Sequence, residues 1–406
     1  MRLADLEVFV VAPPAPGWGG RYWIIPKVTT ACGIVGYGEC YASAVGPEAM
    51  RAVIADVFAR HMEGESAENI ELMSRRVYSS GFTARADPTV FGAFAGLEIA
   101  CWDILGKARD RPVWALLGGR MWDRLRAYTY LYPDADMDMG AFWTSPEMQG
   151  AVAGRCADDG WTAVKFDPAG PYTIRGGHQP ARADIGLSVA MCAAIREAVG
   201  DRADLLFGTH GQFNPAGAIR LGRAIAGYDP LWFEEPVPPD DPHGMARVAD
   251  AVPIPVAGGE RLCSLSEFAI LLRLGGAEIV QPALGRLGGI SEGRKLAALA
   301  QGFGAQVAPH LYAGPVEFAA NVALGATIPN LLMVEAIETP FHHALGGGPR
   351  VEGGFVVPSE APGLGIAFDE DLARAHPYTG DRLHLEMQEA PCDYAGGNAF
   401  GGGAVD

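Results

Sequence analysis

The chain of 406 residues is long for one average domain and fits a large barrel joined to a smaller unit. Its formal net charge of −17, with no Lys/Arg run, excludes the basic face of a nucleic-acid binder, and no unbroken apolar run reaches the roughly 18 residues of a membrane span. Seven scattered cysteines without a CxxC pair exclude a disulfide framework and, with an N-terminus (MRLADLEVFVV) that lacks a signal-peptide layout, point to a cytoplasmic chain.

Residues 3–11 and 22–30 read as strands, separated by the Pro/Gly-rich loop PPAPGWGG, and GIVGYGECYA reads as a third. Helical patterns follow over 47–61 and 68–78. The stretch 88–109 is apolar on several faces and predicts a buried helix.

From about residue 126 the grammar changes. Short apolar runs (YTYLY, TAVKFD, DLLFGTH, LWFEEP, IPVAGGE, EIVQPA, AQVAPH, LLMVE) alternate with seven helical segments. Eight such βα units predict a parallel sheet closed into a (β/α)₈ barrel. The tail from about 350 returns to short strands and turns that pack back onto the N-terminal part, and the last stretch is Gly-rich. The resulting division is an α+β capping domain over 1–124, the barrel over 125–345 and a returning segment over 346–406.

Barrel active sites lie at the C-terminal ends of the strands. That rule selects Lys165 and Asp167 on the second strand, His210 on the third, Glu234 and Glu235 on the fourth and Glu260 on the fifth. It adds Arg286 after the sixth, His310 at the seventh and Glu335 at the eighth. A charged group ending a buried strand is costly unless paired or bound to metal. Glu234 and Glu260 end adjacent strands and can converge on one hard cation, for which oxygen ligands suit Mg²⁺ or Mn²⁺. Each glutamate alone reads more readily as an ion-pair partner, and the pair in this register reverses that. A lone histidine after an apolar run is usually a hydrogen-bonded structural group, but both stand on the catalytic rim. His210 and His310 fit acid/base or ligand roles. Lys165 fits a substrate-carboxylate contact or a base, against a loop-lysine alternative. The loop AGPYTIRGGHQPARAD, with Arg175, His178 and Arg182, either adds positive charge over the site or is an ordinary surface loop.

LWFEEP, VAGGE, LGGISEGRKLAALAQGFGAQVAPHL and LLMVE together resemble the enolase superfamily, in its mandelate-racemase-like subgroup. FAGLEIACWDILGKARDRPVWALLGG and GFVVPSEAPGLGIAFDEDLARAHPY extend the resemblance over nearly the whole chain. Within the subgroup, AVKFDP and FGTHGQFNPAGAIRL look most like acid-sugar dehydratases such as gluconate and mannonate dehydratases.

The resemblance implies abstraction of the proton α to a carboxylate of a sugar acid, stabilised by Mg²⁺. Expulsion of the β-hydroxyl would then give a 2-keto-3-deoxy acid. By the same resemblance His210 is the acid that helps the hydroxide leave, or a base, His310 is a base or acid on the opposite face, and Glu335 holds a substrate carboxylate oxygen. The substrate-binding set becomes Lys165, Arg286, Tyr312 and Glu335, with Tyr78 and Arg85 from a segment reaching over the site beside the loop Gly17–Tyr22. A homo-oligomer is implied as well. An epimerase, racemase or lactone cycloisomerase would share the chemistry, and a decayed sugar-acid binder would share the fold.

Three departures stand out. The subgroup's third carboxylate ligand, two residues before His210, is Gly208 here, which leaves His210, water or substrate to complete the metal site. The Asp that pairs with the strand-seven histidine is Ala283, so His310 loses an orienting acceptor. The usual Lys-x-Lys is Lys165-Phe166-Asp167, whose two charged side chains share a face and can pair.

Overall fold

The computed structural model describes residues 1–41, 44–82, 84–167, 173, 174 and 176–386; Arg175 and Cys392 lie outside them. Near the N-terminus, β1 (Leu3–Val11), β2 (Trp23–Thr30) and β3 (Val35–Tyr37) form an antiparallel sheet. Three helices cover it: α1 (Pro47–His61), α2 (Ile70–Ser79) and α3 (Pro88–Arg109). The third strand is shorter than its sequence pattern suggests. Gly36 and Gly38 lie directly against the backbone of α3, where any side chain would collide, so the run bends away after Tyr37.

By length and composition α3 is apolar enough to cross a membrane, yet 83% of its most apolar window is buried inside this fold. It is the shared wall between the cap and the barrel. Asp87 caps its start by accepting from the amides of Thr89 and Val90. A single turn, α4 (Val113–Leu116), leads onward.

The barrel strands are β4 (Leu125–Tyr130), β5 (Ala163–Phe166), β6 (Asp204–Phe207), β7 (Pro230–Glu234), β8 (Val256–Gly258), β9 (Ile279–Val280), β10 (Gln306–Val307) and β11 (Val334–Ala336). Neighbours pair in parallel from β4 to β10, and β11 pairs with β4. Closure is completed by a bridge from Val307 to Leu331, just ahead of β11.

Helices return the chain on the outside. They are α5 (Met139–Phe142), α6 (Pro146–Asp158), α7 (Arg182–Val199), α8 (Pro215–Ile225), α9 (Pro242–Ala251), α10 (Leu265–Arg273), α11 (Leu284–Leu287), α12 (Ile290–Gly302) and α13 (Pro315–Gly325). The barrel is filled rather than hollow. Tyr128, Ala163, Leu206, Trp232, Ala257, Ile279, Ala308 and Met333, one from each strand or its edge, form an inner plug of alternating bulk.

After α14 (Pro340–Gly346) the tail divides its attachments. The hairpin β12 (Val351–Glu352) and β13 (Phe355–Val356) adds to the barrel, antiparallel to β4. Helix α15 (Glu370–Ala375) and Pro377 then return to β1 of the cap.

Candidate active site

Strand register fixes which residues face the barrel mouth. Phe166, Phe207 and Phe233 are partners on β5, β6 and β7, and their rings meet edge to face with centroids 5.5 and 5.7 Å apart on the helix-facing side. Side chains alternate along a strand. The next residue on each strand, Asp167, Gly208 and Glu234, therefore turns into the mouth, above the inner plug.

Lys165 rises from the same face as Asp167 and is buried. Its Nζ lies 2.6 Å from Glu234 Oε1 and 3.4 Å from Glu335 Oε1. Burial alone would lower the pKa of this ammonium, but Glu234 and then Glu335 outweigh it and hold the group well above the ordinary lysine value. Lys165 is therefore a charged anchor. The sequence allowed Asp167 as its partner; the anchor's ion pairs run to Glu234 and Glu335, and Asp167 Oδ2 faces His210 Nδ1 at 3.4 Å.

Glu234 is held from its other side. Gln281 Nε2 and Trp232 Nε1 donate to its Oε2 at 2.7 and 3.1 Å. Glu335 Oε2 accepts from the amide of Leu311 at 2.7 Å. Glu260, on the turn after β8, meets His310 Nε2 at 3.2 Å. Burial pushes His310 down to about 4, against the pull of Glu260, and Arg286 pushes it the same way. His310 Nδ1 is buried and meets no hydrogen-bond partner among the described residues. That accords with the loss of an acceptor at Ala283.

Glu235 turns away from this group. Its backbone has a positive φ of 39°, in the left-handed region that costs a side-chain-bearing residue. Its carbonyl is held by Thr209 Oγ1 and the amide of Gly211, at 2.6 and 2.8 Å, and its carboxylate pairs with Arg261 at 2.8 Å. The strap from Thr209 to Gly211 thus ties β6 to β7 just beneath His210.

The cap and the tail close the rim. Trp18, in the loop Gly17–Tyr22, stacks on Tyr132 of the barrel at 4.2 Å. Arg286 lies over the ring of Tyr41 at 4.5 Å, and Tyr41 meets His310 edge-on. Tyr312 is beside His384, which also contacts Tyr41 and Tyr22. Tyr78 packs against Arg75 and Phe91, and Arg85 is exposed, so among the described residues neither is seated with the carboxylates. His178 bridges by backbone to Phe213 at the edge of the mouth.

Sequence reasoning missed Gln281, Arg261 and His384. The first two had a signal, since each ends or follows an apolar run at the rim as Glu260 does. His384 had none, because it arrives from a tail far removed in sequence.

A divalent cation fits the donor chemistry here. Glu235 pairs with Arg261, while Asp167, Glu234, Glu260 and Glu335 are buried about one mouth with Lys165 among them. A buried excess of carboxylate oxygen is the setting a hard cation needs. Among the described residues no three His, Cys, Asp or Glu side chains are grouped as a finished metal cage. Any site is thus one that bound ion would draw together.

Two family models match the chain: the mandelate racemase/muconate lactonizing enzyme N-terminal domain over residues 19–118, and the enolase C-terminal domain-like family over 147–372. The D-gluconate/D-galactonate dehydratase of Picrophilus torridus is 33% identical over 377 residues, covering 90% of this chain and 92% of its own length. The D-xylonate dehydratase of Haloferax volcanii is 31% identical, over 90% of this chain and 88% of its own. A crystal structure of a mandelate racemase/muconate lactonizing enzyme-like protein from Roseovarius sp. TM1035 is 69% identical and superposes with a TM-score of 0.96, over 97% of this chain and all of that one.

Proposed function

Since this chain belongs to the mandelate racemase/muconate lactonizing enzyme family of the enolase superfamily, we propose that it is an acid-sugar dehydratase. The substrate is a sugar acid. The reaction removes the proton α to its carboxylate and the hydroxyl on the β-carbon, and the resulting enol tautomerises to a 2-keto-3-deoxy acid.

The observation that carries this reading is the meeting of Lys165, Glu234, Glu260 and Glu335 at one mouth, with His210 and His310 on either side. The dehydratase relatives support the choice of elimination. When bound, Mg²⁺ or Mn²⁺ supplies Lewis-acid stabilisation of the charge that develops on the substrate carboxylate. Glu234 and Glu260 would hold it.

The remaining work falls to this chain's own side chains. Lys165, kept charged, binds a substrate carboxylate oxygen. Glu335, fixed by the Leu311 amide, orients a second oxygen. His310, buried and neutral, accepts the α-proton once Glu260 has turned from its Nε2 to the ion. His210, half-exposed across the mouth and braced by Asp167, gives its proton to the departing hydroxyl, which leaves as water. Arg286, Tyr41, Tyr312 and the loop carrying Trp18 shield the mouth from bulk water.

The test is a panel of aldonic and aldaric acids offered to the purified protein with Mg²⁺, with 2-keto acid formation as the readout. Turnover of at least one acid, lost in His310→Asn, is expected. Absence of any 2-keto product across the panel would sink the proposal. Exchange of the α-proton for solvent deuterium without a 2-keto product would replace it with an epimerase or racemase.

A further inference from the structure

We propose that Asp167 is the third carboxylate of the cation site, reaching from β5 into the place that Gly208 leaves open on β6. This rests on the reading of the mouth as a cation-dependent centre.

Register is the first argument. Asp167, Gly208 and Glu234 follow the partnered residues Phe166, Phe207 and Phe233, so they form one rung across three adjacent strands. The backbone keeps that rung tight, with the Gly208 amide donating to Phe166 O at 2.9 Å. The middle position of the rung carries no side chain.

The second argument is where the Asp167 carboxylate goes. A Cβ built on Gly208 would lie 2.7 Å from Asp167 Oδ1 and 3.2 Å from Lys165 Cε. That is about the reach at which a carboxylate rooted at position 208 would carry its own oxygens. The glycine is therefore the space into which the neighbouring aspartate leans.

The two oxygens of Asp167 divide their tasks. Oδ2 faces His210 Nδ1, while Oδ1 lies over Gly208. The exchange conserves charge and donor type, an anionic oxygen for an anionic oxygen, which is what a hard cation selects. It also gives His210 a different place from the metal-ligand role its sequence position suggested. Its Nδ1 is directed to Asp167, leaving the imidazole for proton transfer.

The experiment titrates Mn²⁺ and Mg²⁺ into the full-length protein without substrate, by calorimetry and by the electron paramagnetic resonance of Mn²⁺. The wild type is expected to bind one ion. Asp167→Ala and the near-isosteric Asp167→Asn are each expected to weaken binding by about tenfold or more, on the scale of lost metal-site groups. The double variant Asp167→Ala/Gly208→Asp should recover most of the affinity, by returning a carboxylate to the same space from the neighbouring strand. Thermal melts of all four proteins check that they are folded.

Wild-type affinity in Asp167→Asn, no recovery in the double variant, or no ion bound by the wild type would each overturn the assignment. A protein that binds Mn²⁺ through Asp167 yet forms no 2-keto acid overturns the dehydratase reading and leaves this one standing.

Discussion

Lys165 balances two buried carboxylates with one ammonium, so its removal tests the electrostatics of the mouth most directly. In Lys165→Met, Glu234 and Glu335 keep their burial and lose their counter-charge. A loss of about 3–5 kcal/mol is expected, as for other buried pairs cut on one side, and is measurable as a lower urea midpoint. Activity should vanish with it. An unchanged midpoint would mean that these ion pairs contribute nothing to folding. The charged groups of this mouth were legible in the sequence because each ends an apolar run, and alternation along a strand fixes its face. The contact between Asp167 and Gly208 was not, since it depends on the register between two strands about forty residues apart.

At the scale of elements, the cap supplies what the barrel helices lack. The N-terminus of α12 has no cap from its own flanking residue, and Glu98 of α3 accepts from the amides of Ile290 and Ser291 and from Ser291 Oγ, at 2.6–2.9 Å. Glu39, following β3, does the same for α13, taking the amides of Gly314, Val316 and Glu317 at 2.5, 3.2 and 2.9 Å. Glu98→Ala orphans these donors and should cost about 1–3 kcal/mol, read from denaturant unfolding. Glu39→Ala should cost a similar amount and also slow catalysis, because α13 follows directly on the loop that holds His310 and Tyr312. Helix α15 is latched differently. Burial would raise the pKa of Glu370, but Lys27, Tyr37 and Arg374 outweigh it and bring the group from 4.5 to about 2. A folded-state value below the unfolded one means the latch is fully present above about pH 4.5 and is lost as pH falls toward 2. Wild type and Glu370→Gln should therefore differ in stability at neutral pH and converge in acid; a constant gap from pH 7 to 3 would exclude this linkage. Sequence patterns found α12 and α13, whereas the tail read as strands and turns without α15. A cap borrowed from another element leaves no local signature, and neither 39 nor 98 stands next to the helix it serves.

At the scale of the whole molecule, the site is closed by three separate stretches of chain: the loop Gly17–Tyr22, Tyr41 after β3, and the tail around His384. The loop of Gly17–Tyr22 meets the tail, where His384 Nε2 contacts Gly19 O at 3.1 Å and its ring packs against Gly20, at a place where a side chain could not fit. Arg21 donates to Leu383 O. His384→Ala should open this lid without touching the carboxylates, so KM for the sugar acid is expected to rise with little change in kcat. An equal fall in kcat and kcat/KM would instead place His384 at the reacting atoms. The carboxylates that the cap lends to α12 and α13 carry one more consequence. Neither half can melt alone without stranding buried charge on one side and bare amides on the other. The chain should behave as a single cooperative unit, with a calorimetric enthalpy equal to the van't Hoff value. A barrel expressed from residue 125 onward should then gain its native fold only when the first 124 residues are supplied in trans.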